Sequence, residues 1–89
     1  MQPVIPDTAS RESLLPASAV PERRSVVLRG VSAGNELISR LAAMGLHIGM
    51  RIEVCRNRHH GPMVLGCNGS RIMLGRGMAD KLMVEVCRA

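Results

Sequence analysis

The chain contains no phenylalanine, tyrosine or tryptophan. A core must therefore be assembled from Val, Ile, Leu and Met. The absence also weighs against recognition of single-stranded nucleic acid, which draws much of its affinity from base stacking on aromatic rings. No CxxC pair occurs. The cysteines are three, Cys55, Cys67 and Cys87, an odd number at wide spacing, which argues against a disulfide framework and for a reducing compartment. No stretch approaches the ~18 apolar residues of a membrane span. The first residues lack a basic segment followed by an apolar run, so no signal peptide is predicted and the expected location is the cytoplasm. Catalytic constellations are missing as well. Glu36, Glu53, Asp80 and Glu85 form no paired-carboxylate pattern and read as solubilising charges, no serine has a nearby His and Asp, and nothing in the spacing sets Cys55 beside a loop histidine as a nucleophile pair. The expectation is a protein that is not an enzyme.

What is present fits one small domain: 89 residues, seven of them Met, with a net charge of +5 in which arginine supplies eleven of the twelve basic groups. Such a charge balance suits nucleic acid, an anionic membrane surface or an acidic protein partner. The arginines are scattered, however, and Arg23-Arg24 is the densest pair, so a solvated surface is the plain reading and no nucleic-acid partner is expected. Residues 1–24 hold four of the five prolines and read as an extended N-terminal arm, in which Ser13-Leu14-Leu15 could pack on the domain. The folded domain is placed at 25–89.

Within that domain Val26-Val27-Leu28 reads as a first strand. Leu37, Ile38, Leu41 and Met44 follow at helical spacing, with Asn35 as N-cap and Gly45 where a helix-ending glycine belongs. Residues 50–57 alternate as a half-buried strand, with Ile52 and Val54 on one face and Arg51, Glu53 and Cys55 on the other. Residues 63–67 form another strand. Asn68-Gly69 is the strongest short hairpin signal, because a type I′ turn needs positive φ at both central residues. If these two are the loop, Cys67 faces Ser70, Leu65 faces Ile72 and Met63 faces Leu74. All six then share one apolar face, so turn chemistry and hydrophobic phase agree. Residues 78–81 make one helical turn, and Leu82, Val84 and Val86 begin a last alternating strand. Five short strands cannot bury a core as a flat sheet. The order and loop lengths match an all-β, five-stranded SH3-like barrel with one short helix in the first long loop and a single helical turn before the last strand.

Metal ligation has candidates in Cys55, His59 and His60. Metal sites need convergent ligands, whereas the strand phases point Cys67 inward and Cys55 outward. No intrinsic cofactor is expected, and Fe²⁺ or Zn²⁺ held there would be adventitious. Gly75-Arg76-Gly77 lacks the strand and helix of a phosphate loop and reads as a sharp turn. Arg29, Arg51, Arg56, Arg58, Arg71 and Arg76 would serve a small nucleic-acid-binding barrel only if they gathered on one face. Strand edges and surface Met make weak self-association a further expectation.

The run Ser39-Arg40-Leu41-Ala42-Ala43-Met44-Gly45-Leu46-His47-Ile48-Gly49 resembles the signature of the FeoA family, cytoplasmic accessories of bacterial ferrous-iron uptake. Gly61-Pro62-Met63-Val64-Leu65, the segment Asn68 to Ala79, and Val84 with Val86 resemble the later motifs of that family. The resemblance covers about residues 25–87. It implies an SH3-like domain that binds the cytoplasmic, GTPase-containing part of the ferrous-iron permease FeoB. It carries Arg40, Leu41, Met44, Gly45, Leu46 and Gly49 as the contact residues and Gly61, Pro62, Asn68, Gly69, Ser70 and Arg71 as the framework of the hairpins; Arg71 is counted among the expected contact residues as well. Two departures stand out: Ile48 replaces a common proline, and His59-His60 stand where relatives often carry an acid. The C-terminal domain of iron-dependent repressors shares the barrel. That reading needs an upstream helix-turn-helix, which residues 1–24 are too short and proline-rich to supply.

Overall fold

Alternation of apolar and polar residues decides which face each strand buries, and here it curls a short-stranded sheet around an aliphatic core. The computed structural model describes residues 14–32, 34–58 and 60–87. In chain order these form β1 (Leu14–Pro16), a 3-10 turn (Ala17–Ala19), β2 (Ser25–Val31), α1 (Asn35–Ala43), β3 (Arg51–Arg56), β4 (Met63–Cys67), β5 (Ser70–Leu74), α2 (Arg76–Ala79) and β6 (Leu82–Val86). The sheet is antiparallel throughout, with strand order β1-β6-β2-β3-β4-β5. Its inner face supplies Val26, Leu28, Ile52, Val54, Met63, Leu65, Leu74, Leu82 and Val84, all essentially without solvent contact, and Leu41, Leu46 and Ala79 close over them.

The all-β SH3-like architecture is the one expected, with two corrections. Among the described residues there are six strands rather than five, and their sheet is not closed, since β1 and β5 stand at its two ends. Residues 14–24, read from the sequence as part of an arm, are built into the fold: Leu14 pairs with Glu85, Leu15 with Val84 and Pro16 with Met83, while Ala17 and Val20 are buried in the core. A three-residue strand shows no alternation to detect, and a proline inside it is tolerable only because the strand is an edge. The arm expected for residues 1–13 lies outside the described residues.

The hairpin register is as expected. Cys67 pairs with Ser70, Leu65 with Ile72 and Met63 with Leu74, and both loop residues have positive φ, Asn68 at 51° and Gly69 at 83°. Cys55 occupies a bulge in β3, between the pairs Val54–Leu65 and Arg56–Val64. Its sulfur fills the space that a side chain at residue 66 would need: a Cβ added to Gly66 would lie 3.0 Å from Cys55 Sγ. Gly66→Ala is therefore expected to cost about 1 kcal/mol through overpacking. In a Cys55→Ala background the same change should become neutral or stabilising, because alanine restricts the unfolded chain. Urea denaturation of the four proteins checks this, and equal costs in both backgrounds would refute the steric account.

Candidate partner-binding surface

A nine-residue helix needs packing to persist, and α1 obtains it from one stripe. Leu41 is buried, and Leu37 packs half-buried against the core. The N-cap is Gly34, without a side-chain cap bond, and Asn35 is the first helical residue rather than the cap; Glu36 in the first turn complements the helix dipole. The C-terminal end is built more firmly. Gly45 has φ 94°, its N–H donates to Ala42 O at 2.9 Å, and Leu46 N–H donates to Leu41 O at 2.8 Å. This is the Schellman arrangement, in which a left-handed glycine lets the chain turn back and satisfy the last carbonyls. Leu41 and Leu46, which this motif brings together, are both buried. Gly49, also at φ 94°, then donates to Leu28 O at 2.6 Å and ties the connection to β2.

The consequence is a displayed apolar surface. Ile38, Met44 and Ile48 are 36%, 37% and 54% exposed. Val31, Ile38, Leu41, Leu46, His47 and Ile48 are among the residues enclosing a cleft of about 140 Å³ between α1 and β2. A second depression, of about 290 Å³, is lined by Arg40, Ala43, Met44 and Met78. Arg40 and Met44 are one turn apart and share its rim, a cation beside a flexible apolar side chain.

The structure thus sorts the expected contact residues by role. Arg40 and Met44 face solvent; Leu41 and Leu46 lie under the surface and set its shape; Gly45 and Gly49 provide the two chain reversals. Met44, part of an apolar stripe that ordinarily packs inward, is half out in solvent. Arg71 is not brought to this surface. It sits on β5 and lines a separate polar groove with Arg51, Asn68 and Ser70. Ile48 and Met78 were not singled out from the sequence. Ile48 appeared there only as a missing proline, and Met78 reaches α1 through a tertiary approach that no local pattern records.

The metal candidates are dispersed. Cys67 is buried, its thiol 3.5 Å from Met50 Sδ and 3.8 Å from Gly45 O; Cys55 is half-buried over Gly66; Cys87 is half-buried, and all three are free thiols. His60 is exposed, and His59 lies outside the described residues. Among the described residues no three His, Cys, Asp or Glu side chains group as a metal site. Three of the six arginines considered for nucleic acid are engaged within the fold: Arg29 with Glu85 at 2.9 Å, Arg58 with Glu22 at 3.8 Å, and Arg76 through both terminal nitrogens to Arg58 O and Asn57 Oδ1. No helix among the described residues is long and apolar enough to cross a membrane.

Known proteins of this shape are similar to the chain over nearly all of the described residues. Residues 15–86 match the FeoA domain family. The chain is 38% identical over 72 residues to Fe(2+) transport protein A of Methanocaldococcus jannaschii, spanning 81% of this chain and 87% of that protein. Its structure resembles the crystal structure of the iron uptake regulatory protein FeoA, with a TM-score of 0.77 and 26% identity over 83% of this chain and 99% of that one. It also resembles ScaR with bound Zn²⁺, at TM-score 0.73 and 24% identity over 80% of this chain but 36% of that one, a likeness of fold alone.

Proposed function

We propose, from the premise that this chain belongs to the FeoA domain family, that it serves ferrous-iron uptake in the cytoplasm by binding the GTPase-containing cytoplasmic part of the FeoB permease, and that it catalyses nothing itself. Iron in this reading is the cargo of the partner. The observation that carries the contact is the clustering of exposed apolar side chains: among the described residues, three of the four large ones, Ile38, Met44 and Ile48, stand on α1 and the turn after it. Apolar side chains gathered at the rims of two clefts are what a partner can bury. Arg40 adds a cation beside Met44 that selects an acidic or carbonyl-rich surface.

The test is a calorimetric titration of this protein with the purified cytoplasmic domain of the permease, run without nucleotide, with GDP and with a non-hydrolysable GTP analogue. Binding in at least one state is expected. The double variant Met44→Lys, Ile48→Lys should keep its stability, since both side chains already meet solvent and a lysine at Met44 suits the helix C-terminus. Its affinity should fall at least tenfold. No binding in any nucleotide state, or binding untouched by the double variant, would remove the proposed contact.

A further inference from the structure

An end strand offers unpaired backbone groups, and the geometry of the hairpin says which ones. Among the described residues β5 pairs with β4 alone. Across a two-residue turn the flanking pair, Cys67 and Ser70, is hydrogen-bonded, and in an antiparallel ladder such pairs alternate with non-bonded ones. Leu65–Ile72 and Met63–Leu74 are then the other bonded pairs in this register. Arg71 and Met73 fall between them, so their N–H and C=O groups point away from β4 along the free edge. Their side chains share the outward face. Met73 is 65% exposed, the highest value among the exposed large apolar side chains of the described residues. Arg71 is exposed and takes part in neither of the ion pairs found among the described residues. Beside it runs the polar groove, about 510 Å³, with Gly66 in its lining, Arg51 and Arg71 as its cations and Glu53 as its one acid.

We propose that the free edge of β5 binds an extended acidic segment of another protein by strand addition, with an acidic residue opposite Arg71 and an apolar residue two positions away opposite Met73. Only another backbone can pair with two N–H and C=O sets spaced two residues apart. Cross-strand neighbours then supply selectivity: a carboxylate answers Arg71 and Arg51, and an aliphatic side chain covers Met73. A second copy of this chain fits less well. Pairing two β5 edges about Ile72 sets Arg71 against Met73 of the copy and leaves both guanidinium groups without an acid, between two chains of charge +5. The edge shares no residue with the clefts beside α1, so this contact is additional to the one proposed there.

The probe is an end-blocked heptapeptide that alternates threonine with, in order, glutamate, valine and glutamate, titrated into the ¹⁵N-labelled full chain. The expected result is chemical-shift change centred on Arg71 and Met73, with hydrogen exchange of those two amides slowed at least fivefold. Arg71→Glu should weaken this peptide about tenfold and should bind the lysine version of it better than the glutamate version. Met73→Pro removes an outward N–H without touching the β4 ladder, so it should keep the fold and abolish the response. Shifts confined to α1, binding indifferent to Arg71→Glu, or protection of the two amides that rises with protein concentration in the absence of peptide would each overturn the proposal. The Met44→Lys, Ile48→Lys protein should bind the peptide as the parent does, which separates this surface from the other.

Discussion

Asn57→Ala is expected to lower stability by about 2–4 kcal/mol and to loosen residues 14–22 selectively. Asn57 follows β3 and is half-buried. Its side-chain amide nitrogen donates to Ser18 O at 2.9 Å and to Val20 O at 2.7 Å, and its Oδ1 accepts from Arg76 Nη2 at 2.9 Å. Every hydrogen of that amide is used, and the acceptor receives a charged donor. Truncation removes all three bonds and leaves two carbonyls and a guanidinium with less than they had. At about 1 kcal/mol for a neutral bond and somewhat more for a charged one, the stated range follows. The backbone N–H of Asn57 still donates to Glu22 Oε2 at 2.8 Å, so the junction weakens without detaching. Asn57→Asp should be no better, since a carboxylate would face the two carbonyls where an NH₂ had donated. For a domain of this size each kcal/mol is worth roughly 4–8 °C in Tm. Urea denaturation gives the magnitude and amide exchange the location. A loss below about 0.5 kcal/mol, or exchange quickened evenly over the chain, would show that Asn57 is not the clamp described.

Leu41→Ala should cost about 2–5 kcal/mol, the usual range for emptying a buried leucine. Leu41 is 1% exposed, stands third from the end of α1, and its carbonyl receives Leu46 N–H at 2.8 Å and Met44 N–H at 3.0 Å. It also forms part of the floor of the cleft beside β2. On the proposed function, the variant should also lose binding to the permease domain even under conditions where it remains folded, because α1 is no longer held at one height above the sheet. Leu41→Met, which nearly conserves volume, should cost under about 1.5 kcal/mol and retain binding. Denaturant midpoints combined with the titration described above decide it; an alanine variant destabilised by less than 1 kcal/mol would mean that α1 is anchored elsewhere.

The two positions also show what the sequence does and does not disclose. Leu41 was legible as core because helical spacing is local, and the Asn68-Gly69 hairpin was legible to the residue because turn stereochemistry and side-chain phase are local too. Gly45 was read correctly for the same reason. Asn57 was not, since its partners are separated from it by 37 to 39 residues toward the N-terminus and 19 toward the C-terminus. Strand β1 escaped because three residues carry no period. For the proposed surface, Arg40 and Met44 were expected as contact residues although helical spacing alone placed Met44 on the core stripe; the structure leaves both side chains exposed and sets Arg71 elsewhere. Arg71 stands on β5, at the opposite end of the strand order from β1, and no local pattern records its distance from α1.

That strand order also bears on how the chain acquires its shape during synthesis. The β3-β4-β5 meander is made of neighbours and can form as soon as it is made. Strands β1 and β6 are another matter: Leu14 must find Glu85, and Val26 must find Val86. Until β6 has been translated, β1 has no ladder and the inward residues of β2 are covered on one side only. Leu14, Leu15 and Val20 therefore wait, open to any passing apolar surface, for the arrival of a strand that lies far along the chain. Slow non-local closure of this kind is where topology, rather than stability, sets the pace, and it makes the interval before β6 emerges the period when the nascent protein is most exposed to misassociation.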